Sequence, residues 1–362
     1  MATPRAAGRE AENVRTMKMG RVLLAGSWVL LAALALPAHS DTCTTQGQMT
    51  PAQRQELMQT AQMLVGEVQG GDLASLRNNT LAAVANQFSG IAESANALRP
   101  AIAQAGLTVD ALFAFDAQPS GGAAPGAQFF CSPPGSTMTV VLNFGNLPPG
   151  KYALAIVHAT GVEKPQQISL VLAQDASGQW KLAGFFAKPL LFAGQDGIWY
   201  WSRARQYAQQ HGDWAAYFYY QIASGLVLPD NFLSSPNTDK LQHEAGQVRP
   251  QNLPTQAPAM FQANGNQFEL TRVDTTTGLG SLDLAIHYNA DDAQAVQLRN
   301  PAQARQQVVG LMSAILSVHP ELRQAFHGLW VYADQNGSTL FALELPMNQI
   351  PGGAAPGSAA GE

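Results

Sequence analysis

Two groups of residues place histidine close to carboxylates, the combination used in acid–base catalysis and in metal binding. In the first, His287 precedes Asp291 and Asp292, and a carboxylate that orients an imidazole can make it a general base. Such a base needs a nucleophile, and the chain has no Gly-x-Ser-x-Gly elbow to supply one. We interpret these charges as part of a solvated loop.

The second group is His319, Glu321 and His327, which invites a metal interpretation. On a straight helix, two histidines eight residues apart are roughly 12 Å from each other, because each residue advances the axis by about 1.5 Å. That distance is too long for one ion with bonds of about 2 Å. The sequence therefore predicts no metal ligands, no cofactor-binding residues and no catalytic residues.

The only two cysteines are Cys43 and Cys131. In an oxidising compartment, two cysteines at this separation favour a disulfide that ties the mature N-terminus to the middle of the first domain. A redox or nucleophilic cysteine is the alternative, but neither residue lies in a Cys-x-x-Cys motif or beside a histidine. We predict a structural disulfide.

The chain is richest in aromatic residues between positions 198 and 228, where helical spacing predicts a hairpin of two helices. Trp and Tyr at this spacing usually pack in a core, and core packing is the first interpretation. The second is an interaction surface or the wall of an apolar pocket, because Trp and Tyr contribute strongly to interfaces. The candidate surface residues are Trp199, Trp201, Tyr207, Trp214, Tyr217 and Tyr220.

The N-terminus has the layout of a secretory signal peptide. The uncharged run Val22 to Leu36 follows a basic segment, and Ala38 and Ser40 are small residues before a cleavage site. This predicts a signal peptide over residues 1–40, with residues 1–16 upstream of the true start, and an exported protein, periplasmic or secreted. An uncleaved inner-membrane signal anchor is the alternative.

Charge limits the partners that this protein can bind. The chain carries a net charge of −5, and residues 1–40 carry five basic and two acidic residues, so the remainder has a net charge near −8. Without a basic patch, the protein is a poor partner for nucleic acid and for anionic lipid surfaces. The remaining partners are another protein or a small apolar ligand.

Hydrophobic periodicity predicts an α+β protein in which helices pack on an antiparallel sheet. In the first domain, residues 41–190, a helix from Pro51 and a helical pattern from Leu73 to Ala105, broken at Pro100, precede six β-rich runs. The Gly- and Pro-rich insert at 118–127 is interpreted as a flexible loop.

The remainder of the chain is predicted as four segments. The aromatic hairpin occupies residues 191–228, and the proline-rich stretch 229–259 is interpreted as a linker. A small ββαββ domain follows over residues 260–350, with an Asn-Gly hairpin signal at Asn336-Gly337. The Gly-, Ala- and Pro-rich tail at 351–362 is predicted to be disordered.

Two parts of the chain resemble known families. The element order over residues 49–190 resembles that of NTF2-like and cystatin-like folds, and this resemblance implies a pocket between a helix and a curved sheet. Residues 198–229 resemble one tetratricopeptide unit, through Ala204-Arg205-Gln206-Tyr207-Ala208, Gly212-Asp213-Trp214, Ala223 and Pro229. Ala216 falls one place early for that pattern, and the chain contains no second copy, so a repeat array is excluded.

These observations lead to two hypotheses about function. The first is a non-catalytic binding or assembly module. The second is an NTF2-like enzyme with a few polar groups inside an apolar cone. The direction of His158 and of the other polar residues of the first sheet would distinguish them, because an enzyme needs these groups to converge in a closed cavity.

Overall fold

The computed structural model of the protein describes residues 42–117, 127–132, 139–145, 147–227, 230, 232–278 and 280–352. All of them belong to one compact unit, Ser40–Glu362. The predicted signal peptide lies outside the described residues, as do most of the predicted loop at 118–127 and the predicted tail from residue 353 onward.

The protein has an α+β fold, as predicted. The described strands are β1 (Thr42–Thr45), β2 (Gly106–Ala117), β3 (Ala127–Cys131), β4 (Val140–Phe144), β5 (Gly150–Thr160), β6 (Gln166–Gln174), β7 (Trp180–Pro189), β8 (Leu233–Ser234), β9 (Ala259–Ala263), β10 (Asn266–Thr276), β11 (Asp283–Asn289), β12 (Gly328–Gln335) and β13 (Ser338–Pro346). The described helices are α1 (Pro51–Gly70), α2 (Leu73–Asn78), α3 (Ala82–Ala85), α4 (Ser89–Ile102), α5 (Gly197–Gln209), α6 (Asp213–Val227), α7 (Pro236–Gln247), α8 (Asp292–Leu298), α9 (Pro301–Val318) and α10 (Leu322–Ala325).

The first sheet has five strands in the order β1-β2-β5-β6-β7, all paired antiparallel. Helix α1 covers one face of it and begins as the sequence predicts, because the Thr50 hydroxyl accepts a hydrogen bond from the Gln53 backbone and Pro51 occupies the first turn. The helix buries an apolar stripe that includes Leu57 and Leu64 against this sheet.

The second helical pattern differs from its prediction. It is divided into α2, α3 and α4, with one interruption around Thr80 and a second over residues 86–88, instead of a break at Pro100. Around Thr80, Asn79 and Leu81 exchange backbone hydrogen bonds with Leu182 of β7, so the chain is held in an extended conformation at this point. Pro100 does not end the helix, since α4 continues to Ile102.

Strands β3 and β4 leave the predicted meander and form a separate three-stranded sheet with β8. This small sheet packs on the other face of the first sheet through an aromatic core that includes Phe115, Phe129 and Phe144. The predicted disulfide is confirmed, since Cys43 on β1 is bonded to Cys131 on β3.

The second sheet has five strands in the order β13-β12-β11-β10-β9. The predicted ββαββ elements are confirmed as β10, β11, α9, β12 and β13, and β9, α8 and α10 are added to them. Strands β11 and β12 are parallel, joined by a connection that contains α9. Asn336 and Gly337 have φ values of 51° and 77°, as the predicted two-residue hairpin turn requires.

The predicted hairpin is confirmed as α5 and α6. It shares one core with α7, α9 and the second sheet. The predicted linker is corrected in part, because residues 229–259 contain β8 and α7. Pro236 stands in the first turn of α7 behind the capping residue Ser235, so this proline starts a helix.

Across the described ranges, no helix has both the length and the apolar character that a membrane span requires.

Candidate binding edge and acidic cluster of the second sheet

The hairpin aromatics are mostly part of the core. Trp201, Trp214 and Tyr220 are buried, while the half-buried candidates Trp199, Tyr207 and Tyr217 pack against the same core. These positions favour the core interpretation. The interaction surface on the hairpin stays a prediction, and only the three half-buried residues retain surface that a partner could reach.

Besides the shared apolar core, a carboxylate on α7 links that helix to the hairpin through hydrogen bonds. Glu244 accepts hydrogen bonds from Trp201 Nε1 at 2.7 Å and from the Arg205 guanidinium at 2.8 and 2.9 Å, with the Tyr220 hydroxyl at 3.2 Å. Burial by itself would raise the pKa of Glu244, but these donors outweigh it and hold the pKa below its usual range. Glu244 therefore stabilises the packing of the hairpin against α7. The N–H and O–H groups that bind it are already used in these hydrogen bonds.

The space expected between the helices and the first sheet is filled. The helix side of that sheet is packed with apolar residues, and phenylalanines fill the opposite side. His158 lies 3.8 Å from the exposed carboxylate of Asp110. A cleft beside β2 and α1, lined by residues such as Glu56 and Asp116, has a volume of about 230 Å³, below the ~300 Å³ at which typical ligand sites begin. Both hypotheses about function stay predictions.

His287 is paired with a carboxylate, but not with the one its sequence neighbours suggest. Its Nδ1 lies 2.8 Å from Asp334 Oδ2 on the adjacent parallel strand, and Arg272 donates to its Nε2 at 2.6 Å. Asp291 instead caps helix α8. Burial opposes ionisation of Asp334, but hydrogen bonds from Thr339 and His287 hold its pKa below its usual range. Among the described residues, no serine and no cysteine is hydrogen-bonded to His287 or Asp334. The network therefore presents no serine or cysteine nucleophile.

These residues lie on the outer face of the second sheet, opposite the face that joins the shared core. Along β12 the rings of Trp330 and Tyr332 stack with centroids 5.9 Å apart, and His287 stacks on Tyr332 at 4.3 Å. On the neighbouring strand Glu344 pairs with Trp330, and exposed Ala342 pairs with Tyr332. The outer face therefore presents a row of rings beside strand β13.

One end of this row holds a cluster of three groups with metal-binding chemistry. Asp283, His327 and Glu344 each place one ligand atom within 4.8 Å of the other two. Asp283 is fully buried and accepts a hydrogen bond from Trp330 Nε1 at 3.3 Å, and His327 Nδ1 lies 3.2 Å from Asp283 Oδ1. Burial raises the pKa of Glu344, with a further rise from repulsion by Asp283.

His327 was considered for a metal site with His319 and Glu321, and the structure separates it from them. His319 lies 3.5 Å from Glu321 and stacks on Trp214, whereas His327 turns to the acidic cluster. His319 and His327 therefore belong to two different groups of side chains.

Strand β13 forms one edge of the second sheet and pairs only with β12 among the described strands. It has nine residues and a single charged one, Glu344. A bulge leaves Leu340 unpaired and 45% exposed, and the strand is regular from Phe341 onward. Phe341 and Leu343 are only half-buried against the core. Apolar surface is thus left along a strand with unpaired backbone groups, the arrangement that natural edge strands usually avoid.

The other edges of the two five-stranded sheets are better protected. Strand β7 is already bridged at Leu182 by the segment around Thr80, and it carries Lys181, a residue type that discourages further pairing on an edge. Strand β1 has four residues and is covalently tied by its disulfide, and β9 has five residues directly after Pro258. Among the edges of the two five-stranded sheets, strand β13 is therefore the one best suited to accept another strand.

Sequence reasoning missed Asp283 and Glu344, although one signal was available. The predicted strand at 281–287 alternates, with Asp283, Ala285 and His287 on one face and Leu284 and Ile286 on the other. This alternation places Asp283 and His287 together on the outer face. The pairing with His327 and Glu344 depends on the parallel register of β11 and β12, which the alternation does not determine.

Comparisons with known proteins found no matching family model, no matching curated protein and no matching solved structure. The NTF2-like and tetratricopeptide resemblances accordingly stay predictions.

Proposed function

We propose that this protein is an exported, non-catalytic binding module that takes up an extended segment of a partner protein along strand β13. The observation that carries this proposal is the unprotected edge itself, a nine-residue strand with one charged residue and half-buried apolar side chains. A partner strand would pair with its unpaired backbone groups and cover its apolar surface. The disulfide suits an exported protein, since such bonds persist in oxidising compartments.

The side chains along β13 define the partner. On the side of the shared core, Phe341 and Leu343 would contact apolar residues at alternate positions of the partner strand. On the outer face, Ala342 leaves room for a side chain, and Glu344 favours a basic residue opposite it, because oppositely charged cross-strand pairs are favourable. The expected segment is therefore extended, apolar at every second residue and basic at one position.

A second copy of the chain fits less well than such a segment. Antiparallel self-pairing centred on Ala342 would place Glu344 of each copy beside Leu340 of the other, so neither charge would gain a partner.

The test uses ten-residue peptides selected from a random display library against the untagged protein. We expect the selected peptides to alternate apolar residues around one basic residue. Ala342→Lys, at an exposed edge position, should weaken their binding by about tenfold or more, since lysine blocks strand addition. Met260→Lys on the exposed part of β9 is the matched control and should leave the affinity unchanged.

Three results would overturn the proposal. Selected peptides could bind Ala342→Lys as tightly as the original protein, or the selection could yield no alternating peptides. Sedimentation could also reveal a dimer that Ala342→Lys dissociates, and the occupant of the edge would then be a second copy of this chain.

A further inference from the structure

We infer that Asp283, His327 and Glu344 form a binding site for one divalent transition-metal ion. The site shares Glu344 with the proposed partner edge, but metal uptake is measured with the ion alone, so the two proposals are tested separately. The inference differs from the sequence prediction, which named no metal ligands.

The first argument is convergence of the two carboxylates. Gly328 pairs with Asp283 on β11 and with Pro346 on β13. A methyl group built on its Cα would lie 2.8 Å from Glu344 Oε1, 2.9 Å from the Leu345 backbone oxygen and 3.1 Å from Asp283 Oδ1. Two carboxylate oxygens from different strands thus point at the same small space above Gly328. Only glycine leaves that space open.

The second argument is an unsatisfied buried atom. Glu344 Oε1 is closed off from solvent and has no hydrogen-bond partner within the described part of the chain. A buried carboxylate oxygen without a partner is costly, and here it also lies close to the fully buried carboxylate of Asp283. A cation between the two oxygens would give Glu344 Oε1 a partner and would offset the repulsion between the carboxylates of Glu344 and Asp283.

The third argument is the chemistry and mobility of the remaining ligand. The side chain of His327 is 51% exposed, so its imidazole can adjust, and its Nδ1 is already 3.2 Å from Asp283 Oδ1. Ligand atoms about 2.1 Å from a common ion lie roughly 3.4 Å apart in tetrahedral geometry. The three ligand atoms here already lie within 4.8 Å of one another, so only small side-chain movements are needed to bring them to that distance.

The ligand set indicates the class of metal. One imidazole with two carboxylates suits Zn²⁺, Mn²⁺ or Fe²⁺ better than Mg²⁺ or Ca²⁺, which prefer oxygen ligands alone. Two carboxylates balance the charge of a divalent ion. Trp330 Nε1 donates to the other oxygen of Asp283, and an outer contact of this kind orients a ligand.

The site is tested by titrating the untagged full chain with Zn²⁺ in a calorimeter. We expect saturable binding of one equivalent, and His327→Ala and Glu344→Gln should each weaken it by about tenfold or more. His243→Ala is the matched control, because this exposed histidine on α7 contacts only Gln247 through its hydrogen bond and should leave the affinity unchanged.

Circular dichroism of each variant checks that the fold is intact, and the visible absorption of bound Co²⁺ gives a second readout of nitrogen and oxygen ligation. The inference is overturned if the chain takes up no stoichiometric Zn²⁺. It is equally overturned if folded His327→Ala and Glu344→Gln bind Zn²⁺ as the original protein does, because the ion would then be held elsewhere.

Discussion

Breaking the Cys43–Cys131 disulfide should cost this protein a large part of its stability. The bond joins residues separated by 88 positions, and it links the short edge strand β1 to the separate sheet that contains β3. In the unfolded chain it closes a long loop, so its main effect is to lower the conformational entropy of that state.

The size of the effect follows from the loop length. For a loop of 88 residues, the loop-entropy relation gives about 15 cal/mol/K, or about 4.6 kcal/mol at 25 °C. A typical domain has an unfolding free energy of about 5–15 kcal/mol, so reduction should remove a substantial fraction of the total.

Urea unfolding of the oxidised and the reduced protein measures this difference directly, because reduction keeps both side chains and removes only the cross-link. The double variant Cys43→Ala/Cys131→Ala is the control. It should unfold identically with and without reductant, and somewhat more easily than the reduced protein, because Cys131 is fully buried and alanine leaves part of its volume empty. A difference below about 1 kcal/mol between oxidised and reduced protein would refute the loop-entropy reasoning.

Two further predictions concern buried charges. Burial lowers the pKa of Lys188 to about 8, partly offset by Asp230, while an unfolded lysine titrates near ~10.4. Between these values the unfolded chain binds more protons, so the unfolding free energy should rise with pH from about 8 to about 10, and urea titrations of Lys188→Met should lack this rise. Separately, Glu244→Gln should lower the unfolding free energy at pH 7 by about 1–3 kcal/mol, because the donors on Trp201 and Arg205 lose a charged acceptor. Unchanged urea midpoints for this variant would contradict the assigned contact.

Local signals in the sequence were sufficient for most of the individual elements. The starts of α1 and α9 follow from a capping residue, a proline in the first turn and a glutamine behind it, all within four positions. The Asn336-Gly337 turn likewise needs only two residues that tolerate positive φ. The disulfide was predictable because the chain offers only one possible pair of cysteines.

Contacts between distant segments were not predictable in the same way. The interruption at Thr80 arises from pairing with Leu182, about a hundred residues further along the chain. The proline-rich stretch at 229–259 was interpreted as a linker, yet Pro236 starts a helix whose Glu244 is held by the aromatic hairpin. At Thr80 a tertiary contact overrode the local helical pattern, whereas the start of α7 at Ser235 and Pro236 is a local signal that the surrounding prolines obscured.

The sequence by itself determined the α+β class, the helix and turn boundaries that depend on neighbouring residues, and the identity of the disulfide partners. Only the tertiary structure decided which strand became the unprotected edge and which acid lies beside which histidine. The physical reason is that side-chain alternation assigns a residue to a face of its strand, whereas strand order and register assign its neighbours. Asp283, His327 and Glu344 meet because β11 and β12 pair in parallel and β13 returns beside them, and no spacing along the chain records that arrangement.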